Sequence, residues 1–131
     1  MNYKYKVFLK KLFFYGLIGG FSASLDTAFF ILLSSIIGIQ NLISNFYSVN
    51  TGILVSFLLN TYFNFKTKDK IKRRAAKFFC IAYSGLLLSS LIMWTGADIL
   101  KISIIYVKLM SVLVIALFQF ILNYIITFNK N

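Results

Sequence analysis

The chain contains no histidine, only one cysteine and only three acidic residues among its 131. Each scarcity removes a class of chemistry. Without histidine there is no imidazole metal site, no imidazole general base, and no Ser/His or Cys/His nucleophilic couple. The lone Cys80 has no partner for an internal disulfide, and within an apolar run it reads as a small core residue. Asp26, Asp69 and Asp98 are too few and too widely spaced for a paired-carboxylate site together with a metal site. No Gly-x-x-x-x-Gly-Lys-Ser/Thr stretch is present, so no phosphate-cradling loop of that type is expected. With no room for a soluble catalytic domain, the chain is expected to be no enzyme and to need no cofactor and no metal.

What is abundant is apolar surface. The composition is 60% hydrophobic and 13% charged, with a mean hydropathy of +0.83. A water-soluble fold of this length has too little interior to hide that much apolar area. The hydrophobic residues gather into four runs, expected as helices at 12–38, 43–65, 78–96 and 103–128. Each is long enough for a hydrocarbon core that takes about 20 helical residues to cross. No period-two alternation of barrel length is present, so the fold class is all-α, an integral membrane bundle of four transmembrane helices. The first run follows a lysine-rich start and contains Ser22-Ala23-Ser24, which resembles a cleavage site. Its apolar residues continue well past that triplet, so a retained helix is expected rather than a signal peptide.

The net charge of +11 suggests nucleic acid at first, but the charges lie at the borders of apolar runs. All 14 basic residues except Lys101 and Lys108 fall in the first eleven residues, in the basic loop 66–77 or at Lys130. This bias predicts both termini and that loop in the cytoplasm, with membrane lipid rather than nucleic acid as the contact. Aromatic residues cluster at the expected boundaries: Phe13, Phe14, Tyr62, Phe63, Phe65, Phe78, Phe79 and Phe128 inside, Trp94 and Tyr106 outside. They read as interfacial anchors, with core packing as the competing role.

The chain also repeats itself. Ser56-Phe57-Leu58-Leu59-Asn60 and Phe65 match Gln119-Phe120-Ile121-Leu122-Asn123 and Phe128 at an offset of 63. Polar or small residues at 45, 48, 52, 56, 60 and 64 form a stripe along one helix face, and 108, 111, 115, 119, 123 and 127 repeat it. Phe13-Phe14 against Phe78-Phe79 extends the match to the other two helices. Two helices per unit predict two parallel repeats related by an axis along the membrane normal. Helix packing explains most stripe residues. Asn60 and Asn123 stand out because they fall near the cytoplasmic ends, where an amide caps a helix or meets a polar headgroup. Gly16, Gly20 and Ser24 form a small-residue stripe on the first helix, of the kind that supports self-association.

Two charges lie within the apolar runs. Asp26 has about a dozen apolar residues on either side. An ionised carboxylate at such depth costs about 2.5–3.5 kcal/mol on insertion scales, so it belongs in the interior, in a wet cavity or beside a cation. Lys108, one or two turns into the fourth helix, is the best partner by depth, with snorkelling to the outer interface as its ordinary alternative. In the basic loop, Arg73, Arg74 and Lys77 are candidates to gather an anionic headgroup, the arginines as fork donors to phosphate.

Lys11-Leu-Phe-Phe-Tyr-Gly-Leu-Ile-Gly-Gly, Asp26, Ser56-Phe-Leu-Leu-Asn-Thr-Tyr-Phe-Asn-Phe65 and Gln119-Phe-Ile-Leu-Asn-Tyr-Ile-Ile-Thr-Phe128 together resemble the GtrA-like family in order and spacing, over about residues 10–129. The resemblance implies a small membrane protein of cell-surface polysaccharide synthesis that moves polyprenyl-phosphate-linked sugars across the cytoplasmic membrane, or assists the glycosyltransferases that use them. Similar four-helix domains occur fused to dolichol-phosphate-mannose-synthase-like enzymes. Members often carry Arg or Lys just after the helix-ending Asn, where this chain has Thr61 and Tyr124. If that cation meets phosphate elsewhere, Lys66, Lys77 or Lys130 must replace it here.

The expected function is flipping of an undecaprenyl-phosphate-linked sugar for polysaccharide or teichoic acid glycosylation. Ser56, Asn60, Gln119 and Asn123 would line the path. Lys108 would meet the phosphate while Asp26 takes up a proton or binds sugar hydroxyls. A non-transporting subunit of a membrane glycosyltransferase is the alternative. A small multidrug exporter is disfavoured by the strong inside-positive bias.

Overall fold

The computed structural model describes residues 2–129, apart from the side chains of Met93, Ala97, Ile104, Ile105, Lys108 and Leu109. Among the described residues all regular structure is helical, with no strand. Four helices are long and apolar enough to cross a membrane. They are α1 (Tyr3–Ile31), α2 (Asn41–Leu59), α3 (Ile71–Met93) and α4 (Ile104–Leu122), and each ends in a short π-helical turn. The chain folds as two compact units, Met1–Asp69 and Lys70–Asn131, each a helical hairpin. In the first, α1 packs on α2; in the second, α3 packs on α4.

Two helices start earlier than the hydropathy pattern predicts. α1 begins at Tyr3, capped by Asn2, whose Oδ1 accepts from the Lys4 N–H at 3.1 Å. With its terminal turn it reaches Ile37, a run of 35 residues. That is about 50 Å at 1.5 Å per residue, well beyond a hydrocarbon core of about 30 Å. The surplus is the lysine-rich first three turns, suited to water and headgroups. Likewise α3 begins at Ile71, so only 66–70 of the expected basic loop is non-helical. Lys72, Arg73, Arg74, Ala75 and Ala76 are good helix formers with no Pro or Gly among them, and their charge disguises the propensity. α1 also runs unbroken through Ser22-Ala23-Ser24.

The repeat at offset 63 holds in backbone detail. At one end of the first hairpin the Ile39 N–H reaches back to the Leu33 carbonyl at 2.8 Å, around Gly38 at φ 90°. In the second, Ile102 reaches the Gly96 carbonyl at 2.9 Å, around Lys101 at φ 58°. Both are helix ends closed by a left-handed residue. At the other end Phe65 bonds back to Asn60 at 2.7 Å and Phe128 to Asn123 at 2.9 Å, closing the two matching π turns. The same offset pairs buried Tyr15 with buried Phe78, so this pair, and not Phe13-Phe14 with Phe78-Phe79, relates α1 to α3.

The seams are small, polar and aromatic. Ser44 and Ser48 in the first hairpin and Ser111 in the second are fully buried, as are Phe57 and Phe120 at equivalent positions. Lipid tails are as apolar as leucine, so apolar burial does not drive such helices together. Small residues that permit close approach do so instead, their hydroxyls being satisfied by nearby carbonyls of the same helix or of the turn before it. Ser44 Oγ donates to the Ile39 carbonyl and Ser48 Oγ to that of Asn45. Ser34 Oγ donates to Asn41 Oδ1 across the turn. The large apolar side chains mostly face outward: Phe63, Leu87, Leu113 and Ile36 are among many exposed ones. Cys80 is exposed too, contrary to the expected core position, because it lies on the outward face of α3.

Candidate functional site

The polar stripe of α2 faces α1. Ser44, Ser48, Gly52, Asn60 and Asn64 are all buried and Ser56 partly so. Asn45 is exposed, so the buried stripe begins at its neighbour Ser44 instead. Asn60 Nδ2 donates to the Ser56 carbonyl at 2.9 Å, and Asn60 Oδ1 accepts from Asn64 Nδ2 at 2.9 Å. Asn64 also reaches across the hairpin to the Lys11 carbonyl at 3.1 Å. In the second hairpin Asn123 Oδ1 accepts from Thr127 Oγ1 at 2.7 Å, the same i, i+4 link at the same place. Both asparagines are essentially fully buried and sit at the start of a π turn. They tie off the turn internally, the capping role.

The second hairpin closes this end with an arginine. Arg74, 5% exposed, donates through Nη1 to the Thr127 carbonyl at 2.6 Å and to that of Asn129 at 2.9 Å. One guanidinium nitrogen meets two carbonyls in and just beyond the π turn that follows α4, at the end where the helix dipole favours a cation. The structure therefore gives Arg74 a seat at a helix end, not the open position of a headgroup ligand. Arg73 is exposed and Lys77 partly buried. In the first hairpin the offset puts Lys11 where Arg74 stands, and its Nζ lies 5.6 Å from the centre of the Phe65 ring. Lys10 lies over Phe14 at 6.0 Å and Lys68 over Tyr62 at 5.6 Å. Cations on aromatic rings suit the membrane–water boundary. Of the expected anchors, Phe13, Phe63, Trp94 and Tyr106 are well exposed, whereas Phe65, Phe78 and Phe128 are buried and serve packing.

Asp26 lies opposite the midpoint of α2. A Cβ on Gly52 would stand 3.1 Å from Asp26 Cβ and 3.3 Å from the Ser22 carbonyl oxygen, so glycine is what lets this carboxylate-bearing turn approach. Asp26 is partly buried. Among the described residues no side chain bonds to its carboxylate, and α2 carries no charged residue. One turn before it, Ser22 is 4% exposed and its Oγ has no hydrogen-bond partner. Thr61 Oγ1, in the π turn, is the other buried orphan among the described residues. Lys108 is in α4, and its side chain lies outside the described residues.

The second hairpin differs at the matching positions. Gly85 stands where Ser22 does, and the Gln119 side chain fills the space so fully that a Cβ on Gly85 would overlap its Nε2. That amide donates to the Ala82 carbonyl at 3.4 Å. Ser56 and Gln119, equivalent in sequence, thus do different work: one accepts locally from Asn60, the other crosses between helices. Gly52 lies on the stripe that the sequence shows, and Ser22 in the small triplet of the first run, but nothing in the sequence pairs either with Asp26. Gly16, Gly19 and Gly20 have open space around them, so the small-residue stripe of α1 does not serve the α1–α2 contact.

Two repeated hairpins with buried polar seams, tied by asparagines at one end and carrying one acid at mid-depth, define a small multi-pass membrane protein. Its family is shown by comparison: residues 14–128 match the model of the GtrA/DPMS transmembrane domain, and the chain belongs to that family. Comparison with curated proteins and with solved structures found no match. The chain is accordingly a membrane protein of polysaccharide or glycolipid synthesis.

Proposed function

We propose that the protein translocates a polyprenyl-phosphate-linked sugar across the cytoplasmic membrane for cell-surface glycosylation, acting as a non-enzymatic carrier. The observation that carries this reading is Asp26: a carboxylate at the middle of a membrane hairpin, with no partner among the described residues and a buried unsatisfied hydroxyl one turn away. Intramembrane acids are costly, and one that no described group neutralises points to a role with a polar ligand. In this reading both termini face the cytoplasm. Lysines and Arg73 at the inner boundary attract the anionic phosphate, and the tail stays in lipid. The test is reconstitution into liposomes with the lipid-linked sugar and an impermeant probe of sidedness. Acceleration over empty liposomes supports the reading, and none with any sugar tried rejects it.

One observation favours a second reading, a non-transporting partner of a membrane glycosyltransferase. The stripes of α2 and α4 are used up within their own hairpins, with Ser48, Asn60, Ser111 and Asn123 buried. Such seams hold helices together without offering a polar path. Co-purification of a glycosyltransferase from membranes, alongside a negative flipping assay, would select this reading.

A further inference from the structure

The two hairpins share a backbone plan but differ at the mid-membrane contact. In the first, Ser22 is buried with an unsatisfied hydroxyl, Asp26 follows one turn later, and Gly52 faces both. In the second, the offset of 63 places Gly85, Ser89 and Ile115 at those positions, and Gln119 closes the gap. A buried hydroxyl without a partner forfeits a hydrogen bond, and its neighbour is an acid that is expensive at this depth. One hairpin is thus left with open hydrogen-bonding capacity, while its copy is filled.

We infer that Ser22 and Asp26 together form the recognition site for the hydroxyl groups of the ligand, and that the second hairpin is a scaffold with no equivalent site. Residues at i and i+4 on a helix are neighbours on one face, so a carboxylate that only accepts stands beside a hydroxyl that donates and accepts. That combination suits adjacent hydroxyls of a sugar ring, one donating to Asp26 and one exchanging a hydrogen bond with Ser22. It offers nothing to a phosphate, which the carboxylate repels. The division of labour follows: basic residues at the boundary meet the charge, and the first hairpin reads the sugar. This rests on the proposal that the ligand is a lipid-linked sugar, and it names the part of the protein that distinguishes such a lipid from the bare carrier.

Equilibrium binding to the purified full chain tests it, with polyprenyl phosphates bearing glucose, galactose, mannose or N-acetylglucosamine compared with bare polyprenyl phosphate. The expected result is preference for at least one sugar-bearing lipid. Ser22→Ala and Asp26→Asn should each weaken that binding roughly tenfold, the scale of one lost buried hydrogen bond, and leave bare-lipid binding unchanged. Unchanged bare-lipid binding also certifies that each variant is folded. If Ser22→Ala does not fold, the near-isosteric Asp26→Asn decides the question by itself. Ser89→Ala, at the position of the second hairpin equivalent to Asp26, should keep the preference. No preference for any sugar, a preference that survives substitution in a folded variant, or equal loss with Ser89→Ala in a folded protein overturns the inference. Binding needs no transport, so a negative flipping assay with the preference intact rejects translocation and leaves this inference standing.

Discussion

Gly38 and Lys101 occupy the same left-handed position at the close of the first helix of each hairpin. Glycine adopts that conformation freely, whereas an L-residue there pays about 1 kcal/mol or more. Lys101→Gly should therefore raise the apparent melting temperature in detergent, and Gly38→Ala should lower it. Gly96 is constrained by space instead: a Cβ there would come within 2.8 Å of Val107. Valine is stiff and branched, so Gly96→Ala should destabilise the protein by about 1–3 kcal/mol, the usual range for overpacking, as read by thermal unfolding. Legibility at this scale is uneven. Asp26 is conspicuous because a charge inside an apolar run has no ordinary explanation. Ser22, Gly52 and Gly85 are not, since small residues are common in membrane helices and their meaning depends on what the facing helix brings against them.

The helices were legible as apolar runs and their starts were not. Lys72, Arg73, Arg74 and Lys77 look like loop because charge and helix are hard to tell apart without a period, yet all lie in α3. That misplacement also concealed the work of Arg74, which reaches carbonyls 53 and 55 residues away. Arg74→Gln should cost about 1–3 kcal/mol, the penalty for leaving buried acceptors unmet. Arg74→Lys should recover only part, because an ammonium is more strongly hydrated than a guanidinium and costs more to bury. Arg73→Gln, at an exposed neighbour, should leave stability nearly unchanged and thus separates the buried contact from mere loss of charge. Thermal unfolding of the three variants decides it.

For the molecule as a whole, the 63-residue repeat was visible in a handful of asparagines and phenylalanines, and it reappears as matching turns, caps and buried positions. The two hairpins share a scaffold, and they differ at one contact, where only the first bears an acid. The charge bias belongs to this scale as well. Neutralising Lys66, Lys68, Lys70, Lys72 and Arg73 together removes most of the central basic cluster while sparing Arg74. A fraction of molecules should then invert, since juxtamembrane Lys and Arg set orientation. Accessibility of cysteines placed at the termini, in intact cells, reports that fraction. Function was legible only as far as the family and one acid, because membrane packing and ligand binding draw on the same small polar residues.

The most direct measurement is the flipping rate of the lipid-linked sugar in liposomes containing wild-type protein or Asp26→Asn at equal amounts. The substitution preserves shape while replacing one accepting carboxyl oxygen by a donating amide NH2. A wild-type rate above that of empty liposomes, reduced about tenfold or more in the variant as expected for a lost charge-assisted hydrogen bond, is the predicted result. Equal rates for the two proteins would contradict a translocation site at Asp26.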